Sequence, residues 1–262
     1  MKTNRKRLAY HIVSIFVVVA MMSAVSVWAK HNPKKGPKEL NGIKFIEQNM
    51  DQATKECDDG GRGKPEFVPT VRDGEPNLAL MVGAKPSVSD QIADGGYCNK
   101  PHNPKGKATG RHCGVYINDG FYNNCRSWIG QKYPGWIQVD LGKIATINRI
   151  FMGSDHSQGF ADRAATQFDV LVATDKADKD SAAASWKKAF SYNNKEKPIR
   201  NTTELKFAAV KGRYVRIHII GPGGTRVDEL EIYGGKSPLG GGAAVQAASK
   251  LTTNWGQIKH SF

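Results

Sequence analysis

Acidic residues are scarce in this chain. Against 38 lysines and arginines stand only 24 aspartates and glutamates, a formal charge of +14. That imbalance points to anionic partners. Helical periodicity is missing between the apolar runs, which excludes a helix bundle, and no internal repeat supports a solenoid or propeller. The signatures of common enzymes are missing too. There is no nucleophile elbow and no metal-hydrolase helix motif. "GGRGKP" departs from a phosphate loop in spacing and carries Pro65 where a magnesium-binding hydroxyl is needed. "SDHS" sets Asp155, His156 and Ser157 side by side, whereas a catalytic triad needs members that converge in space. The chain therefore reads as not an enzyme.

Long hydrophobic runs are limited to one. "LAYHIVSIFVVVAMMSAVSV" follows the basic "KTNRKR" and precedes "VWAK", the pattern of a signal peptide over 1–29, with Val27 and Ala29 as small-residue cleavage determinants. The alternative is an uncleaved membrane anchor, since Leu8 to Ala29 is long enough to span a bilayer. Both place the remainder outside the cytoplasm: secreted, periplasmic or at the cell surface. Lys2, Arg5, Lys6 and Arg7 account for four charges, which leaves +10 on the mature chain. For an exported protein, acidic polysaccharide, anionic cell wall or anionic lipid replaces nucleic acid as the expected partner.

Cysteine is sparse, four residues in all: Cys57, Cys98, Cys113 and Cys125. In an exported chain they make two disulfides, with three possible pairings. Cys98 with Cys113 and Cys57 with Cys125 is favoured, because "CNKPHNPKGKATGRHC" has no apolar residue to hold it to a core. The competing reading is zinc on Cys98, His102, His112 and Cys113, although adjacent residues such as the last two seldom serve one tetrahedral ion.

What is abundant is turn chemistry, 28 glycines and 12 prolines, around short alternating runs. In "WIQVDL", Ile137, Val139 and Leu141 share one face and Trp136, Gln138 and Asp140 the other. In "RYVRIHII", Val215, Ile217 and Ile219 oppose Arg216 and His218. "LGK" predicts a turn after "WIQVDL", with a second apolar run starting at Ile144, and "QFDVLVATD", "TELKFAAV" and "DELEIYG" read as further strands. The organisation expected is a basic, irregular N-terminal arm over 30–76, with one short helix in "FIEQNMDQATKE"; an all-β sandwich over 77–235; and a Gly/Ala-rich linker and tail over 236–262.

"INDGFYNNCRSWI", "GWIQVDLGKIATINRI", "FDVLVATD" and "RYVRIHI", ending in "DELEIYG", together resemble the discoidin domain family, also called coagulation factor 5/8 type C and similar to galactose-binding-like carbohydrate-binding modules. The resemblance covers about residues 77 to 235. It implies a jelly-roll β-sandwich whose end loops bind sugars, lipid headgroups or proteins, without catalysis. It also implies a structural calcium ion. The matching ligands are Asp119, Asn124 (or Asn123) and Glu229 by their side chains, and Tyr116 and Asp228 by their carbonyls, a hard-oxygen set that suits this cation. The sugar surface implied is the loop "SDHSQGFADRAAT", with His156 and Phe160 as contacts and Arg226, Arg111 and His112 as neighbours. The alternative function is an adhesion or assembly protein that binds another protein or an envelope component through its arm and tail.

Overall fold

The computed structural model describes residues 35–56, 64–92, 112–156, 161–175 and 186–234. The signal segment, Phe160, Arg111, Cys57, Cys98 and the C-terminal tail lie outside them, so nothing structural bears on the expectations made there.

Two long antiparallel strands organise the fold, β9 (Gly135–Ser154) and β12 (Asn201–Gly221). Along the first half of β9 runs β6 (Lys85–Val88), and along its second half runs β14 (Glu229–Tyr233). On the far side of β12 lies β10 (Gln167–Ala173), followed by β11 (Lys187–Asn193). Every one of these pairings is antiparallel. The halves of both long strands contribute to one core: Ile137, Val139, Val215, Ile217 and Ile219 from one part, and Ile147, Ile150, Met152 and Leu205 from the other. This is the all-β sandwich that the alternation and turn chemistry implied, and the jelly roll that the family resemblance implied.

The turn predicted at "LGK" does not form. Gly142 has φ +73° and β9 runs on past it as one strand, but through a bulge: residues 141–144 fall between the pairs Asp140–Tyr214 and Ala145–Gly212, and a second register shift lies between Lys206 and Val210 of β12. Bulges and a glycine kink let a strand bend without leaving its partner. For the same reason "TELKFAAV" and "RYVRIHIIG" are a single strand. Ile144, read from sequence as the start of an apolar run, is 55% exposed. The outer face of β9 at its start, by contrast, is covered. Arg216 is buried with its guanidinium 4.0 Å from the Trp136 ring and 4.5 Å from Trp186, and it donates to Gln138 Oε1 at 2.8 and 3.0 Å.

The N-terminal segment also departs from expectation. Hairpins β1–β2 (Glu39–Leu40, Ile43–Lys44) and β4–β5 (Val71–Arg72, Glu75–Pro76) close on Asn41-Gly42 and Asp73-Gly74, all four residues at positive φ. These are the two-residue turns that such hairpins favour. Helix α1 (Met50–Glu56) is capped by Asn49, whose Oδ1 accepts from Gln52 N at 3.1 Å. Ile43, Phe45 and Val68 enter the main core. Phe45 bridges to Met81, and β3 (Glu66–Phe67) pairs with β7 (Phe121–Tyr122). The described part of 30–76 is thus built into the sandwich, because its apolar residues cover surface that the strands leave open.

Candidate functional site

The face of β14 opposite the core carries Glu229, Glu231 and Tyr233, all buried. What covers it is the N-terminal segment and the turn after Asn118. Glu231 accepts from Arg72 at 2.7 to 3.1 Å, from Tyr233 Oη at 2.5 Å and from Tyr122 Oη. Burial first, and then the Glu231 charge, push both phenols well up.

Glu229 sits beneath the turn at Asp119-Gly120. Its Oε1 accepts from Gly120 N at 3.2 Å, and its Oε2 is buried with no partner among the described residues. Burial and the neighbouring charge of Asp119 drive its carboxyl far above the usual carboxylate range. The structure therefore brings these two expected calcium ligands together across 110 positions of sequence. Asn124 and Tyr116 are buried nearby in chain terms. Asp119 is also held by a cation of the chain itself. Its Oδ2 accepts from Arg126 at 2.6 and 2.7 Å, its Oδ1 from Phe121 N at 3.0 Å, and Arg126 lies 4.7 Å over the Tyr116 ring. No group of three or more His, Cys, Asp or Glu suited to a metal occurs among the described residues. An orphaned buried carboxylate oxygen beside a second carboxylate fits a hard cation completed by amide and carbonyl oxygens.

Gly120 is required there twice over. Its φ is +89°, and a Cβ would lie 2.7 Å from Gln48 Nε2, which itself donates to the carbonyls of Val68 at 2.7 Å and Gly120 at 2.8 Å.

His156 follows β9. Its backbone N donates to Asp228 Oδ2 at 2.7 Å, its ring stacks on Tyr122 with centroids 4.8 Å apart, and its Nε2 pairs with Glu66 Oε2 at 3.0 Å. Tyr122 reaches that position because Gly153 lacks a Cβ, which would fall 2.4 Å from the ring. Asp228, expected to offer its carbonyl, commits its side chain to this loop. Burial, opposed by the His156 N–H and the Arg226 charge, pushes its carboxyl up to about 6. Asp155, buried at φ +51°, accepts from Arg200 at 3.0 Å.

Two of the expected neighbours of the sugar are buried. Arg226, in β13 (Arg226–Val227) paired with β8 (Trp128–Ile129), is 1% exposed, and its carbonyl accepts from Ser154 Oγ at 2.7 Å. His112 is 5% exposed and pairs with Ser127 Oγ at 2.9 Å. Among the described residues no cysteine is free, so Cys113 offers no thiolate to the zinc reading. Sequence reasoning missed Glu66, Tyr122, Arg72 and Glu231. Only Glu231 had a visible signal, an acid two residues from Glu229 on the same face of a strand.

Residues 116–217 match the family model of the F5/F8 type C group described as a NedA-like, galactose-binding domain. That is the family which the quoted motifs resemble. No curated protein matches the chain. Among solved structures, chitosan-binding module 2 of a Paenibacillus sp. IK-5 chitosanase/glucanase, in complex with chitotriose, is 22% identical over 60% of this chain and 100% of its own, with a TM-score of 0.44. Module CpGH89CBM32-5 of Clostridium perfringens, in complex with GalNAc-β-1,3-galactose, is 18% identical over 57% of this chain and 94% of its own, with a TM-score of 0.44. A Ruminococcus gnavus GH29 fucosidase in complex with fucose is 17% identical over 60% of this chain and 26% of its own, with a TM-score of 0.43.

Proposed function

We propose that this chain is an exported, non-catalytic carbohydrate-binding module that recognises cell-surface or extracellular glycans through loops at one end of the sandwich. The observation that carries the reading is the match of residues 116–217 to a galactose-binding domain model. The loop that begins at His156 supplies the contacts, with Phe160 as its aromatic plate. His156 keeps 17% of its side chain exposed, which makes it the accessible member of the expected set among the described residues. Glu66 and Tyr122 fix its ring, so a sugar hydroxyl meets an imidazole already oriented.

Calcium belongs to the same proposal. Asp119, Asn124 and Glu229, with the carbonyls of Tyr116 and Asp228, would hold it, and the ion would supply the positive charge that two adjacent carboxylates call for. Disulfides joining Cys98 to Cys113 and Cys57 to Cys125 complete the loops of an exported domain. The adhesion alternative drew on the basic arm and the tail. The tail lies outside the described residues, and the described part of the arm is packed on the sandwich, so the alternative gains no support from the arm.

A glycan array that includes chitotriose and GalNAc-β-1,3-galactose, probed with the full chain with and without calcium, tests the reading. Binding that His156→Ala weakens is the expected result. A silent array from protein shown to be folded overturns it.

A further inference from the structure

Among the described residues only four large apolar side chains are exposed, and two of them lie on segments that touch, Val82 at 64% on the turn before β6 and Ile144 at 55% in the bulged part of β9. The Gly83 carbonyl lies 3.7 Å from where a Cβ on Gly142 would stand, so the Val82-Gly83 turn meets the Gly142–Ile144 bulge. Three exposed lysines flank the pair. Lys85 opens β6 opposite Asp140, Lys143 adjoins Ile144, and Lys211 pairs across the ladder with Thr146, two residues beyond Ile144. No carboxylate among the described residues forms an ion pair with any of the three. Asp140, which faces Lys85 across the ladder and feels its charge, is hydrogen-bonded by Arg213 at 2.7 and 2.9 Å.

We propose that this flank, where β9 and β12 bend, is a second binding surface that takes an anionic polysaccharide. A second copy of the chain is a poor occupant, because it would bring like-charged lysines face to face. A pyranose chain bearing carboxylates satisfies both halves of the patch. Its acid groups meet Lys85, Lys143 and Lys211, and the apolar C–H faces of its rings cover Val82 and Ile144, which are otherwise left in water. The flank takes its ligand class from the glycan-binding reading, but its residues are separate from the loop at His156.

Full-length chain titrated with polygalacturonate at several salt concentrations tests this, with neutral dextran as the control polymer. Lys143→Glu with Lys211→Glu should weaken polygalacturonate binding about tenfold and flatten its salt dependence. Val82→Ser with Ile144→Ser should weaken it about threefold and leave the salt slope unchanged, as loss of a small apolar contact would. Polygalacturonate binding unaffected by either double variant overturns the proposal. So does binding to phosphatidylserine vesicles that needs Val82 and Ile144 while polygalacturonate is ignored; residues 8–29 are common to both chains in that comparison. If the chain binds array glycans but not polygalacturonate, the flank proposal falls and the module reading stands. If it binds neither, both fall.

Discussion

Glu229 is a carboxylate pushed towards its neutral form: it is fully buried and lies beside Asp119, and the backbone donors of the Asp119-Gly120 turn, Gly120 N at 3.2 Å among them, do not offset this. A cation there would convert an electrostatic cost into a bond between the turn and β14. Calcium at 100 times its dissociation constant should therefore stabilise the fold by about 2.7 kcal/mol. Chelation should lower the melting temperature, and magnesium should restore it poorly. Glu229→Gln should remove the calcium response while costing the metal-free protein little, since the neutral amide replaces a group already driven towards neutrality. A melting temperature indifferent to chelator, in protein shown to have lost its metal, would count against the site. Arg72 makes the opposite case. Removing it as Arg72→Met leaves the Glu231 carboxylate buried with only tyrosine donors, at a cost of about 3 kcal/mol, and adding Glu231→Gln should recover much of that. Urea unfolding of the single and double variants measures the coupling.

At the scale of elements, the Asp140–Arg213 pair pins the bend in β9 to β12. Burial alone would raise the Asp140 pKa, but the Arg213 guanidinium and the Gly142 N–H outweigh it and hold the carboxyl below its ordinary value. A depressed carboxylate contributes stability that is present above its unfolded pKa, about 3.8, and that is lost as pH falls through the folded value. Asp140→Asn should therefore destabilise the protein at pH 7 and make little difference near pH 2. Equal destabilisation at both would show that packing, and not charge, fixes the bend. The same bend displays Lys85, Lys143 and Lys211, so geometry that lets one strand serve two parts of the fold also concentrates exposed cations on its outer edge.

For the molecule as a whole, the consequential result is that the described residues up to Pro76 are part of the folded unit. They contribute Ile43, Phe45 and Val68 to the core, Arg72 to Glu231, and Gln48 to the Gly120 turn. A fragment starting at Asn77 should fail to fold or should lose most of its stability, whereas a chain starting at Lys30 should unfold cooperatively. Circular dichroism and urea titration of the two distinguish them. A cooperative, stable 77–235 fragment would show that the N-terminal segment is dispensable packing.

The sequence by itself determined which residues alternate, because side-chain parity is a local property. Ile137, Val139, Val215, Ile217 and Ile219 face the core as their spacing requires, whereas the hairpins closed by Asn41-Gly42 and Asp73-Gly74 lie in a stretch read from sequence as irregular. Asp119 and Glu229 were also legible as a pair, through the resemblance of their motifs to a family. Only the tertiary structure decided what covers each outward face. Parity puts Arg216, Glu229 and Glu231 away from the core but says nothing of a neighbour from elsewhere in the chain. Trp186, Gly120 and Arg72 close over them in turn. Burial of His112 and Arg226, and the passage of β9 past Gly142 by a bulge and not by a chain reversal, have the same origin. Whether a polar face is solvated and whether a glycine turns or merely bends depend on which distant strand continues to offer hydrogen bonds, and that choice belongs to the assembled fold.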